Sequence, residues 1–216
     1  MAAAFTLVCS AVSGPAAAQT PGPFGVCVPR SERAGRDIGC FIVTEHQVGR
    51  LGTAPVFWHV TRFAGRIQAE AARGANGTVL GAYGGVWLMT IGDGKWRARG
   101  GTHLATIGPL PITAGVPYAA LYMEASMRPG MKSAAHRHPG PEAWYTLSGE
   151  TCLETPEGAQ VGHAGGPPVI VPRGLPMELT ATGSAVRRSL VLILHDSSQA
   201  PASPERTWSP RGLCRR

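Results

Sequence analysis

The sequence has little charge, few aromatic side chains and no long apolar run. Of its 216 residues, 15% are charged and 6% are aromatic. No segment reaches the roughly 18 uninterrupted apolar residues that a membrane-crossing helix needs, so we predict no membrane span. The net charge of +7 comes from scattered basic residues, and no basic run is interleaved with aromatic residues. We therefore predict a solvated, arginine-biased surface, which includes the adjacent Arg187 and Arg188, and no nucleic-acid site.

Several catalytic patterns are also absent. No Ser/His/Asp set, phosphate-cradling glycine loop or pair of catalytic carboxylates can be argued from spacing, which leaves those enzyme classes with little support. Glycine and proline, in contrast, are abundant, with 29 and 19 residues. From residue 78 onward, apolar strings alternate with Gly/Pro turns about ten residues apart, which predicts a mainly all-β sandwich or barrel. One short helix is expected over Phe63–Arg73, with Gly74 as its C-cap.

The chain start resembles an export signal. Residues 1–18 carry no charged side chain and end in Ala16-Ala17-Ala18, the small-residue pattern read by signal peptidases, although the usual basic n-region is missing. We expect an exported protein, periplasmic or secreted. After the signal we predict a loop-rich arm over residues 19–38, a single domain over 39–196 with its core at about 115–196, and an irregular tail over 197–216.

Four cysteines remain once the signal is removed. An even number of cysteines in an oxidising compartment is compatible with disulfide pairing. A bridge between Cys27 and Cys40 is favoured because it would tie down the N-terminal arm, stabilising the fold by roughly 2–3 kcal/mol. Cys152 lies in a strand-like stretch and Cys214 in the tail, so these two either pair or stay free.

The most informative segment contains His136, His138 and Glu142. On a strand, residues two apart share a face, so the two histidines point the same way. The Pro139-Gly140-Pro141 sequence that follows is a turn signal, and it returns Glu142 beside them. Two imidazoles and a carboxylate form a ligand set for a divalent transition metal: Fe, Mn, Zn, Ni or Cu.

This segment resembles the first sequence motif of the cupin superfamily at every defined position: Gly-x5-His-x-His-x3-Glu-x6-Gly, from Gly130 to Gly149. About thirty residues on, Gly166-PPVIV-Pro172-Arg-Gly174 resembles the start of the second cupin motif. The resemblance covers roughly residues 115–196. It implies a cupin-type antiparallel β-barrel or jelly roll, here with extra N-terminal strands, and it makes His136, His138 and Glu142 the metal-ligand positions.

The second motif departs from the family pattern. Its histidine ligand is replaced by Met177, and the asparagine expected four residues later is Ala181. Three alternatives follow, of which the first is preferred. The metal has three protein ligands and is completed by water or substrate, or the barrel has lost its metal, or the Met177 thioether is a fourth, copper-binding position.

Strand alternation also predicts the lining of a pocket. Trp144 and Thr146 share a face with Glu142, and Leu179 shares a face with Met177. A same-face row through Tyr122 lines the wall or faces outward. The resulting apolar cavity suits a small, partly hydrophobic molecule. We expect an exported metalloprotein that binds such a molecule, with oxygenase or isomerase chemistry implied by the resemblance. The alternatives are a non-catalytic binding cupin without metal and an assembly role, since cupins often form homodimers.

The other histidines lack ligand spacing. His163 lies in a glycine-rich turn and is expected to be exposed, whereas His195 ends a strand and is expected at the rim of the site or behind its ligands. His46, His59 and His103 have no adjacent partner and are interpreted as structural.

Overall fold

The computed structural model describes residues 23–24 and 27–214 of the chain, so the expected export signal lies outside the described residues. Within them, the chain forms mostly strands, with one α-helix and one 3-10 turn at Arg30–Glu32. The elements are β1 (Pro23–Phe24), β2 (Val28–Pro29), β3 (Gly39–Arg50), β4 (Phe57–Phe63), α1 (Arg66–Ala71), β5 (Gly77–Ala82), β6 (Gly85–Gly92), β7 (Thr102–Ile107), β8 (Pro117–Met127), β9 (Lys132–Ser133), β10 (His136–Arg137), β11 (Glu142–Ser148), β12 (Glu150–Thr155), β13 (Gly158–His163), β14 (Val169–Val171), β15 (Glu178–Thr182), β16 (Arg187–Asp196) and β17 (Ser203–Pro204).

Two sheets enclose the barrel core. One has the order β14-β11-β16-β8-β3-β2 and the other has the order β1-β9-β15-β12-β13. Most of their pairings are antiparallel, and apolar residues from both sheets fill the space between them. This arrangement confirms the predicted mainly-β jelly roll. Because β3 pairs with β8 over most of its length, the sheet extends beyond the predicted core at residues 115–196.

A four-stranded sheet, in the order β5-β6-β4-β7, covers the outer side of the six-stranded sheet. Alternate residues of β4 and β6, such as Trp58 and Met89, pack with outward-facing residues of the barrel such as Leu192. Coverage of both faces of the six-stranded sheet explains why β8 and β16 are buried over almost their whole length. These strands are the extra N-terminal strands expected from the sequence.

The predicted helix is shorter than expected and begins later. Phe63 ends β4, where it pairs with Val86 and is only 6% exposed, so it belongs to the sheet rather than to the helix. The helix begins after Gly65, which is extended, and covers only Arg66–Ala71. No helix among the described residues is long and apolar enough to cross a membrane.

Two disulfides connect the ends of the described chain to the barrel. The predicted Cys27–Cys40 bridge is confirmed, and Cys152 pairs with Cys214, which resolves the alternative left open by the sequence. The second bridge holds the tail against β12, where the Glu154 carboxylate also accepts hydrogen bonds from the backbone of Arg211 and Leu213. Two disulfides in one chain are typical of proteins that fold in an oxidising compartment.

Candidate metal centre

The two sequence motifs meet in space. The backbone of His136 exchanges hydrogen bonds with Met177 at 3.0 and 2.9 Å, and the carbonyl of His138 accepts one from Gly174 at 2.8 Å. The turn that follows packs against β16, because Leu194 donates to the Pro141 carbonyl at 2.9 Å. A Cβ at Gly140 would overlap the carbonyl oxygen of Leu194, so only glycine allows this close approach. The turn therefore directs β11, and Glu142 with it, back toward the histidines.

The structure brings together all three predicted ligand residues. The potential ligand atoms of His136, His138 and Glu142 lie within 4.8 Å of one another. The imidazole rings of the histidines are 4.9 Å apart, edge to face. Nδ1 of His136 donates to the Ala134 carbonyl at 2.8 Å, and Nδ1 of His138 donates to the Pro201 carbonyl at 2.6 Å. Each ring thus keeps Nε2 available, as is usual for metal-ligating histidines whose other nitrogen is anchored.

The ionisable groups of the cluster shift one another's pKa. Burial lowers the pKa of His136, which favours its neutral form. Burial has the same effect on His138, but the Glu142 carboxylate outweighs it and the pKa of His138 is raised. The pKa of Glu142 is lowered because its histidine neighbours more than offset its burial. The carboxylate is therefore ionised at neutral pH, as a metal ligand must be.

Unsatisfied atoms in the cluster test its fit to a metal. His138 Nε2 and Glu142 Oε2 are 3.3 Å apart, yet each is buried without completing a hydrogen bond. Buried polar atoms normally have partners. Two imidazole nitrogens and a carboxylate oxygen form a facial donor set for Fe, Mn, Zn, Ni or Cu. The three residues therefore fit a divalent transition metal.

Met177 lies beside this cluster. Directly paired residues of an antiparallel bridge carry their side chains on the same side, so the bridge to His136 places the Met177 side chain next to the imidazole. The Met177 side chain is fully buried in the barrel core with Leu179. Met177 therefore lies where a fourth metal ligand is expected. Packing in the apolar core is enough to explain its burial, with no ligand role.

Three of the four predicted pocket residues face the barrel interior. Trp144 and Leu179 lie in the barrel core, and the Thr146 hydroxyl accepts a hydrogen bond from Ser189 at 3.3 Å. Tyr122 does not join them, because Leu121 and Met123 take the inward positions of β8. The Tyr122 ring instead packs 6.4 Å from Trp58 of the covering sheet. Of the two orientations left open for its row, the outward one is correct, and Tyr122 is no pocket residue.

Arg187 is a buried residue that sequence reasoning placed on the surface. Only 1% of it is exposed, whereas the neighbouring Arg188 is exposed. Arg187 shares the inward face of β16 with Ser189 and Val191, and its guanidinium carbon lies 5.8 Å from the Trp144 ring. The alternation along β16 was the available signal, since only every second residue faces solvent or the covering sheet.

The C-terminal tail also contributes to the site. Apart from β17 its described part lacks regular structure, but β17 pairs with β10, the strand that carries His136, and Glu205 binds Arg137 of that strand. The Pro201 carbonyl, just before β17, orients His138. No sequence signal marks this role, because any residue type supplies a backbone carbonyl.

The remaining histidines lie outside the cluster. His163 is exposed, as predicted. His195 is 3% exposed, and its Nε2 lies 3.8 Å from a carboxylate oxygen of Glu45. His59 is fully buried and uses both ring nitrogens in hydrogen bonds, to the Asp93 carbonyl and to the Thr106 hydroxyl.

Two of the surface clefts differ in where they lie relative to the clustered residues. The larger, of about 890 Å³, lies between α1 and the edge of the four-stranded sheet and contains none of the three clustered residues. The smaller, of about 280 Å³, is bordered by Trp144, Thr146 and the loop between β13 and β14. Because the smaller cleft lies beside β11, the strand that carries Glu142, it is nearer to the barrel interior than the larger one.

Comparisons with solved structures give neighbours of the family that the motifs resemble. A protein with a double-stranded beta-helix domain from Klebsiella pneumoniae aligns at 20% identity over 39% of this chain and 69% of its own, with a TM-score of 0.35. A cupin superfamily protein from Desulfitobacterium hafniense aligns at 14% identity over 39% and 72%, with a TM-score of 0.33. An oxalate oxidase aligns at 21% identity over 34% and 40%, with a TM-score of 0.31. No protein-family model and no curated protein matches the chain. These likenesses transfer no activity to this chain.

Proposed function

We propose that this chain is an exported cupin that holds one divalent transition metal on His136, His138 and Glu142 and binds a small molecule in its barrel. The observation that supports this most is the anchoring of both histidines through Nδ1, which leaves two Nε2 atoms beside a buried carboxylate. His138 Nε2 and Glu142 Oε2 are buried without hydrogen-bond partners. In a purely structural cluster, buried polar atoms of this kind would normally be paired.

The chain's own residues have separate tasks in this proposal. His136, His138 and Glu142 hold the metal, and the Ala134 and Pro201 carbonyls fix the imidazole orientations. When bound, the metal supplies Lewis acidity or O₂ activation, chemistry compatible with an oxygenase or an isomerase. In this proposal Trp144, Leu179 and Met177, which belong to the apolar barrel core, exclude water from one side of the cluster. Water exclusion strengthens electrostatic interactions inside the site.

Metal content tests the proposal directly. Protein purified without an affinity tag or chelator is expected to carry close to one transition-metal ion per chain, measured by inductively coupled plasma mass spectrometry. His136→Ala should lose the metal, while His163→Ala, an exposed histidine outside the cluster, should retain it. Circular dichroism checks that both variants are folded.

A metal-free outcome leads to the alternative function. If folded wild-type protein carries no metal, takes none up on titration and still binds a small molecule, the chain is a non-catalytic binding cupin. The 3.3 Å contact between His138 and Glu142 would then be a structural ion pair.

A further inference from the structure

The barrel contains a charged side chain without a counter-charge. Arg187 is 1% exposed, and among the described residues no carboxylate lies within 4.0 Å of its guanidinium. Nη1 reaches only the thioether sulfur of Met127, at 3.9 Å, and Nε and Nη2 have no hydrogen-bond partner. Buried charges in proteins are normally paired, because an isolated one loses its hydration without compensation.

Arg187 remains charged in this environment. Burial lowers its pKa to about 10, while Tyr83 and Glu142 act in the opposite direction. The guanidinium is therefore protonated at neutral pH. The Glu142 carboxylate is near enough to raise the pKa of Arg187 by its charge. Glu142 is nevertheless directed at the histidines and makes no ion pair with Arg187.

The two unpartnered atoms belong to one edge of the guanidinium. The N–H groups of Nε and Nη2 are parallel donors whose spacing matches the two oxygens of a carboxylate. Other unsatisfied groups belong to the same interior: Trp144 Nε1, whose ring lies 5.8 Å from the guanidinium carbon, and the hydroxyl of Thr151, on the face of β12 that Leu153 shares. This side of the barrel thus offers hydrogen-bond donors and one positive charge.

We propose that Arg187 is the recognition residue for a carboxylate group on the small molecule that this barrel binds. The assignment deepens the proposed function and rests on it for the location of the ligand. Arg187 does not itself line the cleft of about 280 Å³, but Trp144 and Thr146 border it from the inward face of β11, and the Trp144 ring lies 5.8 Å from the guanidinium carbon. In this proposal, a ligand that enters beside Trp144 pairs its carboxylate with Arg187, and the rest of the molecule extends toward Glu142.

Binding of simple carboxylates tests this assignment. Acetate, propionate and benzoate are titrated into the full-length protein by isothermal calorimetry, with acetamide and benzamide as neutral isosteres. We expect saturable binding of at least one carboxylate and none of its amide. In Arg187→Met and Arg187→Gln, affinity should fall about tenfold or more, as for loss of a charged hydrogen bond. Arg188→Gln removes an exposed arginine from the next position and should bind like wild type.

Stability measurements separate recognition from folding. Because no carboxylate of the described residues pairs with Arg187, Arg187→Met should be at least as stable to heat as the wild-type protein while binding carboxylates about tenfold or more weakly. The assignment is overturned if wild-type protein binds none of the carboxylates. It is also overturned if Arg187→Met binds them equally well, or if chloride and inorganic phosphate bind as tightly as the carboxylates.

A metal-free variant distinguishes this proposal from the metal proposal. His136→Ala should lose metal but keep carboxylate binding through Arg187, even if weakened. Wild-type protein that carries metal but binds no carboxylate refutes only the Arg187 assignment. Protein that lacks metal but binds carboxylate through Arg187 refutes only the metal assignment.

Discussion

The molecule contains two histidine pairs of similar spacing that differ in whether their ring nitrogens are free to bind a metal. In the four-stranded sheet, the rings of His59 and His103 are 6.0 Å apart, and in the barrel those of His136 and His138 are 4.9 Å apart. Both nitrogens of His59 are used, by Asp93 and Thr106, and the same threonine hydroxyl bonds Nε2 of His103 at 2.9 Å. In the barrel, each imidazole has one anchored nitrogen and one that is available.

Charge separates the pairs further. Burial lowers the pKa of both His59 and His103, and the cationic Arg97 lowers them further. In the barrel, Glu142 raises the pKa of His138 and would complete a metal ligand set. Two close histidines therefore do not define a candidate metal site. An available nitrogen on each, together with a buried carboxylate, does so.

The largest effect is expected from detaching the C-terminal tail from the barrel. Of the two histidine pairs, only His136 and His138 contact the described part of this tail. Replacing Cys152 and Cys214 together with alanine opens a bridge between residues 62 apart in sequence. We expect the free energy of unfolding to fall by about 4 kcal/mol in denaturant titrations. Metal affinity should also fall, because the Pro201 carbonyl no longer holds His138.

The other disulfide is the matched control for the tail. Replacing Cys27 and Cys40, only 13 residues apart, should cost about 3 kcal/mol and leave metal affinity unchanged. Equal metal affinity in both double variants would show that the tail does not position His138.

Without the Glu142 carboxylate, the His136–His138 pair should lose its metal affinity and so resemble the His59–His103 pair. Glu142→Gln keeps the size of the side chain but removes its charge. We expect metal affinity to fall by more than about 100-fold, because loss of an outer hydrogen-bond partner alone costs about 10–100-fold. Competition with a chromophoric chelator measures the change. His103→Ala is the control and should bind metal normally, whereas retained affinity in Glu142→Gln would refute the ligand role.

A further metal-binding side chain in the barrel should increase the difference in metal affinity between the two histidine pairs. Met177→His introduces a third imidazole beside His136, at the position where the cupin pattern has a histidine. Metal affinity is expected to rise by about tenfold in the same chelator assay. Met177→Leu serves as a packing control and should bind metal like wild type. An unchanged affinity in Met177→His would mean that this side chain is not directed at the metal.

The smallest effect concerns pH and the His59 pair. The pKa of His59 is lowered from its ordinary value of 6.5, so the unfolded chain takes up the proton more readily than the folded one. Its contribution to stability is therefore complete above pH 6.5 and is lost as the pH falls. Urea unfolding should show a smaller loss of stability on acidification in His59→Gln than in wild type. Identical acid sensitivity would exclude this contribution.

Local patterns carried much of the information about the candidate site. His136, His138 and Glu142 were identifiable because strand period and a proline-glycine turn are short-range properties. The mainly-β fold followed from the regular spacing of turn residues, and the Cys27–Cys40 bridge followed from a short loop. The metal itself and the export of the chain stay predictions.

Other features depended on segments far apart in the chain. Alternation placed Tyr122 and Arg187 on definite faces of their strands, but which face meets the barrel was decided by the sheets packed on either side. The helix began later than predicted because pairing with Val86 kept Phe63 in β4.

The sequence by itself therefore determined the type of fold and the three candidate ligands, since both rest on residue types and spacings within a few turns of chain. Only the tertiary structure decided that Arg187 is buried with no carboxylate of the described residues paired to it and that a tail carbonyl orients His138. Burial and backbone hydrogen bonds arise from the packing of distant segments, and a carbonyl group is the same in every residue, so neither has a local signature.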